Sequence, residues 1–289
     1  MLRYAVPLCI IAAMIILGTD EAGYGPNLGP LVVSLTAWEA DRGDLSPMFE
    51  PLKQAGISIG DSKKLYHGGS LAALETGVLV LLRTLKKNIL PIANDETNIN
   101  SLVPKCEEIL QKHKVRLLDM QYRSIEPEEF NRLIDKFNSK GSLLSNVTLR
   151  LVADKLADLT RDNVLILCDK HGGRNHYLDI LTDFFAGEFI HVIQESREKS
   201  VYRIVAEGRQ WEFRFLAKGE SHLPIALASM LSKYHRELAM LRFNAFWQSH
   251  VPDLYPTAGY PGDAKRFKQQ ITDAQKQLGI TDASLWRKR

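Results

Sequence analysis

The sequence predicts an α/β protein with a C-terminal helical lobe, and three observations lead there. An apolar run passes into two adjacent carboxylates and a glycine-rich stretch, GTDEAGYGPNLGP, at residues 18–30. A second apolar run, NVLILCD at 163–169, ends on another carboxylate. Helical periodicity fills much of what lies between and after them. Short continuous apolar runs are the pattern of strands buried on both faces, and open α/β sheets place their sites at the C-terminal ends of such strands.

Residues 14–19 form the first strand. Residues 31–38 (LVVSLTAW) form a second, β-branched one after the Gly-Pro turn, and so short a connection predicts an antiparallel pair. Residues 57–65 (ISIGDSKKL) read as a charged loop, and leucine and valine spacing predicts a helix over 70–86. Residues 115–122 read as a strand. Residues 126–137 and 143–159 are amphipathic helices, the second with Leu144, Val147, Leu151, Leu156 and Leu159 apolar. After the strand at 164–167, residues 201–221 alternate through two strands about Glu207-Gly208, a hairpin signal. A long helix over 223–247 has Pro224 in its first turn, and the basic tail from 263 onward is helical. With no repeat, low-complexity run or Ser/Pro-rich linker, residues 14–289 read as one domain: a core over about 14–248 and a helical region over 249–289.

At 289 residues, 45% hydrophobic and 25% charged, the chain has the composition of a folded globular protein, which excludes a disordered one. A formal charge of +3 permits nucleic-acid contacts without demanding them. Cys9, Cys106 and Cys168 are too few and too scattered for a disulfide framework or a CxxC metal site, as expected of a cytoplasmic protein. Arg3 followed by YAVPLCIIAAMIIL imitates a signal peptide, but the run leads straight into the Asp-Glu pair, so cleavage would damage that segment. Met14 is therefore the expected start, with residues 1–13 a mis-called extension. No segment reaches the ~18–20 continuous apolar residues of a membrane span.

Four acids stand at strand ends: Asp20 and Glu21 on the first strand, Asp169 on a central one, and Glu220 after the last, before the long helix. A single Asp at a strand end is ordinarily a solvated cap residue; the set is what points to a site. Hard oxygen ligands from separate strands suit Mg²⁺ or Mn²⁺. The chemistry implied is phosphoryl transfer, with two ions ~3.5–4 Å apart serving the attacking and leaving oxygens.

GTDEAGYGPNLGPLVV resembles the opening signature of the type 2 ribonucleases H, Asp-Glu-Ala-Gly-Arg-Gly-Pro, then Gly-Pro and a hydrophobic strand. DSKKL at 61–65 is similar to that family's Asp-Ser-Lys-Lys-Leu loop, and LILCDKHGG to the strand ending in its third metal-binding Asp. AKGESHLPIALASMLSKYHRELAM is similar to its Lys-Gly-Asp-Ser segment with the helix that follows, and GYPGDAKRF to its Gly-Tyr motif. Five segments in one order span residues 18–267. The resemblance implies an RNase H-like fold: a mixed five-stranded sheet flanked by helices, three antiparallel strands first and helix-linked parallel ones after. It also implies a metal-dependent endonuclease cutting the RNA strand of RNA/DNA hybrids, or ribonucleotide-containing duplex DNA, to 5′-phosphate and 3′-hydroxyl ends. Asp20, Glu21, Asp169 and Glu220 would be the metal ligands. Gly23, Tyr24 and Gly25 would read the ribose, Lys63, Lys64 and Lys233 would face phosphates, and Tyr260 would pack near the cleaved ribose.

Three features depart from that family. Tyr24 replaces its usual Arg, Glu220 is one methylene longer than its usual Asp, and residues 173–217 are longer than its usual connection, enough for an added sheet edge or a partner surface. Two alternative functions are a catalytically weak hybrid-binding protein and an RNase H-like nuclease acting on DNA. For His171, Arg174 and His176 the ordinary role is surface hydrogen bonding.

Overall fold

The computed structural model describes residues 13–66, 69–160, 163–206 and 208–288. The expected extension, residues 1–13, lies outside them apart from Ala13. Strand β1 (Met14–Ala22) pairs antiparallel with β2 (Leu31–Ala40), as their short connection predicts, with Asp20 opposite Ser34. Helices α1 (Phe49–Gln54), α2 (Ser62–Leu65), α3 (Ala72–Thr84) and α4 (Glu96–Lys112) precede β3 (Val115–Ile125), which pairs with β2. Then α5 (Pro127–Phe137) and α6 (Lys140–Ala157) lead to β4 (Asn163–Asp169), parallel to β1. Helix α7 (Leu178–Phe184), strands β5 (Phe189–Glu195), β6 (Lys199–Ala206) and β7 (Arg209–Leu216), a 3₁₀ turn (Gly219–Ser221), α8 (Leu223–His250), α9 (Pro261–Gln277) and α10 (Asp282–Leu285) complete the chain.

The sheet is mixed and flanked by helices, as expected, but it has seven strands rather than five, in the order β3-β2-β1-β4-β7-β6-β5. The expected five correspond to β3 through β7 in that order, with β7 parallel to β4. The long connection after Asp169 supplies the other two: β6 pairs antiparallel with β7, and β5 with β6. Where β6 joins β7, one face buries Tyr202 and Ile204 of β6 with Phe213 and Phe215 of β7; the other carries Arg203 of β6, whose guanidinium lies 3.0 Å from Glu212 of β7.

Side chains alternate across the sheet and feed two cores. Ile16, Leu165 and Leu167 join the layer built by α1, α3, α4 and α8, whereas Ile15, Leu17, Val164 and Ile166 join the layer under α6 and α7. Asp119 on β3 accepts from Lys87 at 2.9 Å and from Lys155 of α6 at 2.8 Å, tying both layers to one strand. The segment expected as a charged loop, 57–65, contains α2, because the Asp61 side chain accepts from Lys63 N at 3.0 Å and caps a turn. No helix among the described residues is long and apolar enough to cross a membrane.

Candidate functional site

The site begins with a missing side chain. A Cβ on Gly18 would stand 2.3 Å from the carbonyl carbon of Pro224, so glycine here is what lets the first turn of α8 lie against β1. Thr36 Oγ1 donates to Pro224 O at 2.8 Å and holds that turn down. Further along α8, Ser232 Oγ lies 3.1 Å from Asp20 O and 2.7 Å from Ser34 Oγ. Helix and strand are thus locked on either side of Asp20. At the neighbouring strand ends, Lys218 turns the chain with a left-handed φ of 60°, and Gly219 N donates to Asp169 Oδ1 at 3.0 Å. That bond brings the turn carrying Glu220 to the end of β4.

As a result Asp20, Glu21, Asp169 and Glu220 line a single cavity of about 190 Å³. Burial and the Asp169 carboxylate push the Asp20 pKa up to about 7, with Glu220 adding to the rise. Burial, Asp20 and Asp169 raise Glu21, and burial and Glu220 raise Asp169, while the Lys63 cation pulls both back down. Like charges in one cavity with low access to water disfavour full ionisation. Glu21 Oε2 is buried and has no hydrogen-bond partner among the described residues, a condition that carries a penalty unless a cation or proton arrives. The donor set is hard oxygen throughout and fits Mg²⁺ or Mn²⁺ in type. As the side chains stand, no three His, Cys, Asp or Glu groups among the described residues are gathered closely enough to coordinate an ion.

No protein-family model matches the sequence, and no curated protein matches it either. Solved structures do. The chain is similar to RNase HII of Archaeoglobus fulgidus, solved as a complex with PCNA, at 18% identity and a TM-score of 0.48, covering 96% of this chain and 95% of that one. It is similar to ribonuclease H2 of Pyrococcus horikoshii OT3 at 17% identity and a TM-score of 0.48, covering 94% and 92%. Bst-RNase HIII in complex with Mn²⁺ matches at 16% identity and a TM-score of 0.46, covering 98% and 70%.

The remaining expected residues divide. Gly23, Tyr24, Gly25, Lys63, Lys233 and Tyr260 line the cavity with the acids. Lys64 does not line it: its side chain is 84% exposed and lies 3.7 Å from Asp61. Tyr24 packs its ring against the patch of Leu31, Val33 and Phe130, with its hydroxyl beside Gly172 in the loop after β4. Burial, then the Glu21 carboxylate, raise its pKa. Lys233 is not free, since Nζ donates to Glu237 Oε1 at 2.7 Å and lies 4.2 Å from the centre of the Tyr66 ring. Of the histidines, His171 is buried rather than on the surface, 3.0 Å from Ser145 Oγ, and burial lowers its pKa to about 3; His176 pairs outside the cavity with Glu195.

Ser62, Ser229 and Arg236 also line the cavity and were not expected there. Ser229, Lys233 and Arg236 stand at i, i+4 and i+7 along α8, one helical stripe, and that spacing was the available signal. Arg236 is 1% exposed, donates to Ala258 O at 2.9 Å, and lies 5.9 Å from the centre of the half-exposed Tyr260 ring.

Proposed function

We propose that the chain is a metal-dependent endoribonuclease acting on RNA paired with DNA. The observation that carries this reading is the convergence of four acids from three distant segments on one cavity that a Gly-Tyr-Gly loop also lines. Asp20, Glu21, Asp169 and Glu220 are the residues that would hold divalent cations, Mg²⁺ or Mn²⁺. Bound there, such ions supply activation of water and charge neutralisation at the leaving oxygen. The reaction is hydrolysis: the oxygen of water forms a bond to phosphorus, the bond from phosphorus to the 3′-oxygen breaks, and that oxygen takes a proton. The ends are a 5′-phosphate and a 3′-hydroxyl.

The chain's own residues select and hold the substrate. The Gly23 to Gly25 backbone meets the ribose, whose 2′-hydroxyl both donates and accepts and separates RNA from DNA locally. Lys63, exposed at the cavity mouth, faces phosphate. Lys233, pinned by Glu237, is a fixed positive charge rather than a mobile one. Tyr260 offers a ring against the sugar.

The test is to incubate the protein with a labelled RNA/DNA hybrid, an all-DNA duplex and duplex RNA, with Mg²⁺, Mn²⁺ or EDTA. The expected result is cutting of the hybrid alone, dependent on metal, and lost in Asp20→Asn with hybrid binding kept. Binding without cutting would establish a hybrid-binding protein instead, and cutting of the all-DNA duplex a different nuclease.

A further inference from the structure

Arg287 lies 264 residues from Gly23 in sequence and reaches the same loop. Its side chain is fully buried, with the guanidinium 3.9 Å from the centre of the Phe130 ring on α5. Its two terminal nitrogens donate to backbone oxygens, Gly23 O at 2.5 Å and Tyr24 O at 3.2 Å, while its own backbone N donates to Asn27 O at 2.9 Å. The segment that presents it is anchored independently. Asn131 Nδ2 donates to Ala283 O and Trp286 O at 3.0 and 2.9 Å, and Asn131 Oδ1 accepts from Lys288 N at 2.7 Å. A buried guanidinium fork that spans two consecutive carbonyls fixes two peptide planes at once.

The orientation of those planes matters. In a trans peptide the carbonyl and the amide of one unit point in opposite directions, and the unit carrying Gly23 O also carries the Tyr24 N–H, as the unit carrying Tyr24 O carries the Gly25 N–H. Arg287 does not line the cavity, whereas residues 23–25 do. Among the described residues, the N–H groups of Gly23, Tyr24 and Gly25 donate to no acceptor within the chain. Two carbonyls are therefore gripped from outside the cavity while the amides of the same peptide units are left unspent.

The geometry points to Arg287 as a positioning residue that aims the Tyr24 and Gly25 amides into the cavity, where they discriminate a ribonucleotide from a deoxyribonucleotide. Hydrogen bonds to the carbonyls also polarise the attached amides and make them better donors. The inference rests on the proposed function for what enters the cavity, and it adds a residue that touches neither substrate nor metal.

The experiment compares wild type with Arg287→Met, Arg287→Lys and Asn131→Ala, the last of which loosens the segment while leaving the guanidinium intact. Fluorescence anisotropy in EDTA, where nothing is cut, gives the affinity for a DNA duplex holding one ribonucleotide and for the same duplex in all-DNA form. In Arg287→Met the preference for the ribonucleotide falls by about tenfold, with affinity for the all-DNA duplex unchanged. Arg287→Lys, which keeps the charge but not the fork, loses part of it, and Asn131→Ala loses a smaller part. A merely structural role would move both affinities together. A wild-type preference retained in full by the folded Arg287→Lys or Arg287→Met protein overturns the inference; a wild type with no preference overturns the proposed function instead. Should Arg287→Met fail to fold, the Lys and Asn131 variants decide.

Discussion

Asp20 is 8% exposed and shares its cavity with three other carboxylates. Its pKa stands near 7, against an ordinary 3.8, because of burial and Asp169. A raised carboxylate pKa means that the native state binds the proton more tightly than the unfolded chain, so the stability that Asp20 contributes is complete below about pH 4 and is lost as pH rises to about 7. A shift of that size corresponds to a penalty on the order of 2–4 kcal/mol at pH 8. Asp20→Asn removes a charge from the cluster, and in EDTA at pH 8 it should raise Tm by roughly 5 °C or more while abolishing hybrid hydrolysis. Saturating Mg²⁺ or Mn²⁺ should raise the wild-type Tm and leave Asp20→Asn nearly unmoved. Differential scanning calorimetry with and without metal checks both. A variant that is less stable than wild type in EDTA would mean that Asp20 serves the fold rather than a ligand.

At the scale of elements, the seating of α8 on β1 is what assembles the site, and Gly18 is where it can be broken. Gly18→Ala drives a methyl to within 2.3 Å of the Pro224 backbone, and relief of that overlap costs roughly 2–3 kcal/mol. Urea denaturation should register this loss, and the metal-induced rise in Tm should shrink because the turn bearing Glu220 moves with the helix. Gly262, in the first turn of α9, is the contrasting case. A Cβ there meets nothing within 4 Å, so Gly262→Ala should stabilise by about 0.5–1 kcal/mol. Strands β1 and β4 were legible because their apolar runs lead into carboxylates followed by glycine, and β2 because a β-branched run follows the Gly-Pro turn. Helix α4 was not. Its buried Ile99, Leu102, Cys106 and Leu110 keep helical spacing, but the exposed Pro104 within it reads as a break. Strand β5 escaped for the opposite reason: Phe189, Val192 and Ile193 are exposed, so no buried face imposes an alternation to recognise. The acids and glycines of the candidate site were legible as local motifs, whereas Arg287 left no local signal, since only the folded chain brings it to Gly23.

Across the whole molecule, groups of opposite sign set how stability depends on pH. Burial lowers His171 to about 3 and half-buried His235 to about 4, with Arg174 and Arg242 respectively adding to the effect. An unfolded histidine takes its proton near pH 6.5, so each of these contributes stability that is full above that value and is lost as pH falls below it. Between pH 5 and 6.5 each therefore tilts stability upward with pH by up to about 1.4 kcal/mol per unit. Asp20, raised to about 7, tilts it downward by a similar amount, and Glu21, raised by burial, Asp20 and Asp169, and Asp169, raised by burial and Glu220, act in the same direction. In EDTA the two sets oppose, and wild-type stability from urea melts should vary little across that window. In Asp20→Asn one descending contribution is gone, so its curve should climb away from the wild-type curve by about 1 kcal/mol per pH unit and run parallel to it above pH 7.5. Every other titrating group is common to both proteins, so the difference between the curves isolates the cluster wherever the remaining groups are too distant to couple. A divalent ion held by the carboxylates lowers their pKa values, and wild type measured in saturating Mg²⁺ should then acquire the upward slope that the substitution produces without metal. Curves for wild type and Asp20→Asn that stay parallel from pH 5 to 8 in EDTA would show that the four acids do not share one electrostatic field.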